Sequence, residues 1–331
     1  MITNYNSPAD NFSQVMEGSY QAVADIIVVG SGGAGCAAAL EAVKSIDRVL
    51  LLTRGDFMAS KTARAQGGIQ AAVHQDDTPE QHFQDTLKAG EYSNDESLVR
   101  VLTENALPTI TWLEGLGVVF DREDGQYRIQ NAAGLSMPRV LSCGDESGNR
   151  IMSPLQQAVE ASSIDVREHV AVTSLQQQED GFIVSIQNTR SGDNGYLHAR
   201  ALIIAAGGSV PEEKRAGLRF SGIGDIPDSL QLAGMLGADI VAPDLVQYHP
   251  TGVVLPAELR RRPAPEVLRT AGAELLNAEM KPFTNPLQTR KKLCNAIVKE
   301  CQEGRCVETD DGRRGVWLNT PSIDRHHGHG Y

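Results

Sequence analysis

Cysteine is scarce: five residues in a chain of 331. Cys36, Cys143, Cys294, Cys301 and Cys306 are too few and too scattered for a disulfide framework. They suit a reducing compartment, so a cytoplasmic location is expected. Cys301 and Cys306 have four residues between them and no second pair, which reads as two ordinary thiols. The His326-His327-Gly328-His329 cluster lies in a terminal stretch and is likewise read as non-functional, so no metal site is expected. No apolar run is long enough to span a bilayer, so no direct membrane insertion is expected. Met1–Tyr20 is polar, with no basic start and no apolar centre, and does not read as a secretory leader. Basic residues are in deficit, 30 Lys and Arg against 42 Asp and Glu, for a net charge of −12. That argues against nucleic acid as a partner while leaving room for a local basic pocket around an acidic ligand. The length allows one large or two medium domains.

The stretch Val23–Arg54 organises the rest. An apolar run, Asp25–Val29, leads into Gly30-Ser31-Gly32-Gly33-Ala34-Gly35, then a small-residue helix from Cys36 to Ala42, then a second apolar run, Val49–Leu52. This pattern fits the first βαβ unit of a dinucleotide-binding fold. Gly30 allows the tight turn, Gly32 lets the backbone approach a pyrophosphate, and Gly35 lets the helix pack on the strand. The helix N-terminus then faces the phosphates. The acid that usually closes the second strand is missing. Thr53-Arg54 stands there, so the Thr53 hydroxyl and backbone groups are expected to hold a ribose. Further on, Gly67-Gly68 in Ala65-Gln66-Gly67-Gly68-Ile69 marks a close backbone approach, to a ligand or to another strand.

Periodicity and turn residues predict helices over Thr78–Ala89 and Asn94–Leu116. In the second, Asp95 is the cap, Pro108 should kink or divide the helix, and Leu98, Val101, Leu102, Ile110 and Leu113 are the apolar positions. A short strand is expected at Val118–Asp121 and mostly loop from Ile129 to Met152. A helix should follow at Ser153–Ser162, a strand at Asp165–Val170, and a hairpin-like pair, Val172–Gln178 with Phe182–Gln187, about Asp180-Gly181. Ala201–Ala205 reads as a buried strand delivering its end to Ala206-Gly207-Gly208, which is where open α/β sheets bind ligands. Asp228–Leu236 should be helical with Gly237 ending it, and Ala238–Pro243 and Leu245–Tyr248 extended. Prolines 256, 263 and 265 mark a linker, followed by a helix at Lys291–Glu300 and a strand at Arg313–Asn319.

Several short motifs, in order over roughly residues 24–320, make the chain similar to the flavoprotein subunits of the succinate dehydrogenase, fumarate reductase and L-aspartate oxidase family. They are Gly30–Gly35, Ala65–Ile69, Asp145-Glu146-Ser147-Gly148, Ala205–Gly208, Gly224-Asp225 and Gln247-Tyr248-His249-Pro250-Thr251-Gly252. The resemblance implies an α/β fold: a flexible extension over 1–23, a Rossmann-like FAD-binding domain over 24–254, and a partial α+β capping domain over 255–331. It implies FAD contacts at Gly30, Ser31, Gly32, Ala34, Gly35, Thr53, Arg54, Ser60, Thr62, Gln66, Gly67, Gly68, Val170, Ala206, Gly207 and Asp225. It also implies hydride exchange between flavin N5 and a C4 dicarboxylate, and leaves room for a partner that is an iron–sulfur or other electron-transfer subunit. The family's proton-delivering Arg–Glu–Arg chain matches Arg269, Glu266 and Arg290, at family-like separations of three and twenty-one residues. His249 matches the histidine that contacts a substrate carboxylate.

The departures carry information too. Ser60-Lys61-Thr62 stands where the membrane-bound dehydrogenases have a flavin-linked histidine, so FAD is expected to be noncovalent. Ala132-Ala133-Gly134-Leu135 replaces the Glu-bearing segment that aspartate oxidases use for an amino group, which favours the fumarate reductase or succinate dehydrogenase type. Family members continue well past the position of Tyr331, with a second substrate histidine and arginine there. The chain is therefore expected to be a fragment or to need a partner chain. The alternatives are an aspartate oxidase-like enzyme and a catalytically incomplete flavin-binding or scaffold subunit.

Overall fold

The computed structural model describes residues 22–144, 146–208, 229–242, 245–260, 262–321 and 323. The expectations for the N-terminal extension, Asp145, Gly224-Asp225, Pro243 and the histidine-rich tail lie outside the described residues. Those residues fall into two compact units: 22–60 with 156–208 and 229–242, and 61–155 with 245–260 and 262–323. This partition is discontinuous in sequence and does not follow the contiguous segments 24–254 and 255–331. Among the described residues no helix is long and apolar enough to cross a membrane.

The first unit is built on one six-stranded sheet. Its strands are β1 (Ala22–Val29), β2 (Val49–Leu52), β3 (Asp165–Arg167), β4 (Val170–Gln178), β5 (Gly181–Asn188) and β6 (Asn194–Ile204), in the spatial order β3-β2-β1-β6-β5-β4. β1, β2, β3 and β6 are parallel neighbours, with Val29 beside both Leu52 and Ile204. β4, β5 and β6 form an antiparallel meander. All four residues of β2 are buried, as a parallel strand covered on both faces requires. Helix α1 (Gly33–Ala42) makes the crossover from β1 to β2, burying Gly35, Cys36 and Ala39. Ile27, Val29, Leu50, Leu52, Val184 and Leu197 form the centre of the core. Each such side chain contributes about 1.5–3 kcal/mol by leaving water. The expected hairpin is present and longer than expected. Gly181 is required there because a Cβ would fall 2.2 Å from the Ala199 carbonyl oxygen.

In the second unit, the helix Pro79–Ala89 is capped by the Thr78 hydroxyl, which accepts the Gln81 N–H. The expected helix Asn94–Leu116 is two helices, Glu96–Glu104 and Ala106–Gly115, broken at Asn105. Asp95 caps the first as expected, accepting from the Ser97 and Leu98 N–H groups. Pro108 then lies in the first turn of the second helix, where a missing N–H costs no intrahelical bond. The apolar face expected of the first helix is wrong: Val99 and Thr103 are buried, while Leu98, Val101 and Leu102 are exposed. The break rotates the two halves out of one shared period. Val118–Asp121 is not a strand. It is anchored as loop by the Asp121 N–H on the Ser142 carbonyl, and a tight hairpin, Arg122–Glu123 with Gln126–Tyr127, follows it. The stretch read as loop holds the short strands Ile129–Gln130 and Val140–Leu141, and a helix begins already at Ser147. The expected strand Asp165–Val170 is divided between β3 and β4, and residues 238–242 and 245–248, expected to be extended, lie outside helices and strands. Arg313–Asn319 likewise divides, into Arg314–Gly315 paired with Val307–Glu308 and Trp317–Asn319 paired with Glu274–Leu276.

This unit is pinned by a fully buried ionic triad. Arg139 donates through Nε and Nη2 to the Asp77 carboxylate at 2.8 and 2.9 Å, and through Nη1 to Asp85 at 2.5 Å. Asp85 also accepts the Ser136 N–H and hydroxyl.

Candidate functional site

The glycine turn joins β1 to α1 in a space too small for any other residue. Gly30 sits at φ +110°, and a Cβ on it would lie 2.4 Å from the Ala205 carbonyl oxygen. A Cβ on Gly35 would lie 1.7 Å from the Gly30 carbonyl oxygen. The first and third motif glycines are therefore dictated by strand and helix packing. Gly32 is the N-cap of α1, in extended backbone, and the first helical turn carries no acid. Ser31 does not cap the helix. Its buried hydroxyl lies 3.1 Å from the Thr53 hydroxyl and 2.9 Å from the Phe57 carbonyl. The first turn of α1 carries no acidic residue of its own, which suits a diphosphate. Burial pushes the Cys36 thiol up to about 12, leaving it inert beneath the turn.

Around this turn the first unit brings several expected residues together. The Thr53 N–H donates to the Arg167 carbonyl at 3.0 Å, and its own carbonyl accepts the Val170 N–H at 2.9 Å. Both backbone groups of Thr53 are therefore engaged within the sheet, which leaves its hydroxyl as the group that could meet a ligand. The Arg54 carbonyl accepts from the Thr189 hydroxyl at 3.0 Å. Ala206 and Gly207 follow β6, with Gly207 at φ +74° and its carbonyl accepting the Ser229 N–H. Ser60 closes the first segment of this unit, and Ala34 lies in the first turn of α1.

Thr62, Gln66, Gly67 and Gly68 belong to the second unit. Gly68 is dictated by a strand, since a Cβ there would meet the Leu141 carbonyl oxygen at 2.0 Å. Gly67 has nothing within 4 Å of its Cβ position and is the member of the pair open to a ligand. The helix Ser147–Glu160 seats its start on the loop carrying Thr62, with the Gly148 N–H on the Ala65 carbonyl at 2.9 Å. A Cβ on Gly148 would fall 2.0 Å from the Thr62 carbonyl oxygen.

The second unit also assembles the charged residues. Glu266 opens the short helix Glu266–Thr270, where a carboxylate favours the helix end, and Arg269 follows one turn on. Arg290 opens the helix Arg290–Gln302, where a cation is disfavoured by the helix dipole. What holds it there is the cluster. Glu266 Oε2 accepts from Arg290 Nη2 at 3.3 Å and from Arg269 Nη2 at 3.2 Å, and Gln247 Oε1 accepts from Arg290 Nη1 at 2.7 Å. Arg269 is 1% exposed; Nη1 donates to the Pro286 carbonyl at 2.8 Å, and among the described residues its Nε has no partner. Burial lowers the Arg269 hold on its proton, with Glu266 opposing that and Arg290 adding to it. His249 is pushed down by burial and by the Arg290 and Arg269 cations, so it is neutral at neutral pH. Its Nδ1 lies 3.4 Å from both the N–H and the hydroxyl of Thr251. Two guanidiniums against one carboxylate leave one net positive charge, suited to a carboxylate ligand held bidentately.

In sequence Gln247 is visible only as part of a motif; its bond to Arg290 makes it a member of the cluster. Cys294, one helical turn beyond Arg290, carries no signal in the sequence at all. Its sulfur approaches the Tyr248 carbonyl at 3.6 Å, and burial pushes its thiol up against the pull of the two arginines.

A βαβ unit with a glycine-dictated turn defines a nucleotide-cofactor protein. The chain belongs to the FAD binding domain family, whose model matches residues 25–327. It is 33% identical to a CoM/CoB fumarate reductase subunit of Methanothermobacter marburgensis, over 90% of this chain and 56% of that protein. It is 34% identical to the L-aspartate oxidase of Caulobacter vibrioides, over 81% of this chain and 52% of that one. Among solved structures it overlays on the Sdh1 complex of Mycobacterium smegmatis in its apo form, with TM-score 0.73 and 25% identity, over 94% of this chain and 55% of that one. The fold is thus that of the fumarate reductase and succinate dehydrogenase flavoproteins. The chain spans about half the length of the relatives it matches.

Proposed function

We propose that the chain is the FAD-binding and proton-delivering part of an oxidoreductase acting on a C4 dicarboxylate, of the fumarate reductase or succinate dehydrogenase type. The observation that carries this is the single oxygen of Glu266 shared between Arg269 and Arg290. Gly30, Gly32, Gly35 and the residues beside them would hold the FAD diphosphate, and Thr53 a ribose hydroxyl. When bound, FAD supplies or takes the hydride.

Arg290 is the acid. It gives its guanidinium proton to the substrate carbon next to the one that exchanges hydride, and it orients a substrate carboxylate. Glu266 passes a proton to Arg290 and recovers one from Arg269, whose burial loosens its proton. Neutral His249 donates a hydrogen bond to a carboxylate, and Gln247 keeps the Arg290 plane in register. Lys61 leaves no histidine at the flavin-linking position, which supports noncovalent FAD. The Methanothermobacter relative is by name one subunit of its enzyme, which supports a partner chain that carries electrons.

The aspartate oxidase-like alternative is supported by the similarity to such enzymes. Against it, Ala132–Leu135 offers no carboxylate for a substrate ammonium. The test is turnover of the native full-length protein or complex with its FAD. Reduction of fumarate by a reduced viologen dye, or dye-linked oxidation of succinate, is expected. A flavin-replete protein that oxidises L-aspartate and turns over neither of the other two acids would overturn the assignment.

A further inference from the structure

The helix Arg290–Gln302 opens in a way that its own sequence opposes. Arg290, Lys291 and Lys292 put three consecutive cations on its first turn, no acid stands among them, and Thr289 at the N-cap makes no side-chain capping bond. The positive end of a helix repels cations, and an uncapped first turn leaves its N–H groups unpaired within the helix. Such a turn frays when nothing else holds it, and Arg290 is part of it. Two carboxylates from elsewhere in the same unit oppose this. Glu266 takes Arg290, and that bond acts on the guanidinium at the far end of a long side chain. Glu91 takes the neighbouring residue. Its Oε2 accepts from Lys291 Nζ at 2.5 Å, across 200 residues of chain. The bond to Lys291, with the charges of Lys291 and Lys292 behind it, holds the Glu91 carboxyl below the ordinary carboxylate range.

Glu91 stands at a place that costs stability. The helix Pro79–Ala89 ends in a Schellman turn, with the Tyr92 N–H on the Leu87 carbonyl at 2.9 Å and the Glu91 N–H on the Lys88 carbonyl at 3.1 Å. Glu91 is the residue just past the cap, at φ +53°, where glycine is preferred, and Tyr92 follows at φ +59°. A side chain in that backbone conformation is disfavoured by its own Cβ. Backbone strain at a residue that reaches the start of another helix points to function. The ion pair does little for global stability, because the Lys291 and Glu91 side chains are 69% and 51% exposed. Its effect is local, on the turn that carries Arg290. We propose that Glu91 is a positioning residue for Arg290: through Lys291 it holds the first turn of the Arg290–Gln302 helix closed, and so keeps the Arg290 guanidinium between Glu266 and Gln247. This rests on the reading of Arg290 as the acid.

The test uses the native full-length protein or complex with its FAD, as parent, Glu91→Gln, Glu91→Gly, Lys291→Met and the Glu91→Gln, Lys291→Met pair. Three quantities are read: the rate at which iodoacetamide alkylates Cys294, resolved by peptide mass mapping; the single-turnover reoxidation of reduced FAD by fumarate; and the melting temperature. Cys294 lies one helical turn beyond Arg290, with its sulfur on the Tyr248 carbonyl, so its half-buried thiol reports opening of that turn. Glu91→Gln should raise the alkylation rate and lower the reoxidation rate by about two- to fivefold each, the range of one exposed ion pair, with flavin content unchanged. Glu91→Gly should change both rates alike while raising the melting temperature, because glycine relieves the left-handed backbone. A merely structural residue would not lower the rate and raise the melting temperature together. The double variant should match Glu91→Gln, because both substitutions break the same pair. Parent rates of alkylation and reoxidation in Glu91→Gln would overturn the proposal. So would a lowered melting temperature in Glu91→Gly, or full addition of the two single effects in the double variant. If fumarate fails to reoxidise the parent FAD, the dicarboxylate reading fails, and the alkylation rates by themselves uphold or overturn the hold of Glu91 on the helix start.

Discussion

Gly35 stands against Gly30 so closely that a single added methyl would lie 1.7 Å from the Gly30 carbonyl oxygen. Gly30 and Gly35 are thus packing requirements, one for the turn and one for the seat of the helix on its strand, as the sequence reads them. Gly32, between them, is the N-cap of α1 and the glycine proposed to let the backbone approach the diphosphate. Gly35→Ala should destabilise the protein by about 3 kcal/mol or more, because backbone and not a flexible side chain must yield. Gly32→Val should keep the fold and lose flavin. Urea melts and flavin absorbance on the two variants separate these outcomes. Equal flavin loss and equal destabilisation in both would remove the distinction.

The Arg139 triad is buried in full, so breaking it leaves an uncompensated charge. Arg139→Met should cost about 3–5 kcal/mol, since Asp77 and Asp85 would remain buried without a cation. Combining it with Asp77→Asn and Asp85→Asn should restore part of that loss. Chemical denaturation of the single and triple variants measures it, and a triple variant less stable than the single one would contradict the charge argument.

His82 and His249 give the protein a defined acid sensitivity. Burial is the first cause in both, and it holds the folded-state value below the ordinary histidine value of 6.5. The folded protein therefore binds fewer protons than the unfolded chain between the two values. The stabilisation is complete above about pH 6.5 and is lost as pH falls through that value toward the folded one. Stability measured by denaturant from pH 8 down to pH 5 should fall, and His82→Gln should flatten part of the slope. A slope unchanged in His82→Gln would exclude that residue as a source.

If Lys61 excludes a covalent link, acid precipitation should leave the flavin in the supernatant. Yellow colour retained in the washed pellet would contradict noncovalent binding.

Much of this architecture is legible from local pattern. The run Val49–Leu52 is a strand to the residue, because a strand buried on both faces has no polar position to blur its ends. Asp180-Gly181 marks its hairpin through turn chemistry alone. Local pattern misleads where tertiary contacts override the period. Leu98, Val101 and Leu102 repeat at helical spacing yet face outward, because Asn105 breaks the helix and the Val99 face packs instead. Val118–Asp121 has strand composition but, among the described residues, no partner strand to pair with. In the site, Glu266 and Arg269 are readable as a helical pair. Gln247 joins Arg290 across 43 residues, and no local spacing encodes that.

The central claim is that Arg290 delivers the proton and Glu266 supplies it. The most direct measurement is single-turnover reoxidation of the reduced FAD by fumarate, in the native full-length protein or complex and in its variants. Arg290→Ala should slow the step by several orders of magnitude, on the order of 10²–10⁴ for the lost acid with a further factor for lost carboxylate binding. Arg290→Lys should recover part of this, and Glu266→Gln should slow it less. All three should keep a normal flavin spectrum. Reoxidation of Arg290→Ala at near the parent rate, or loss of flavin from Glu266→Gln, would contradict the account.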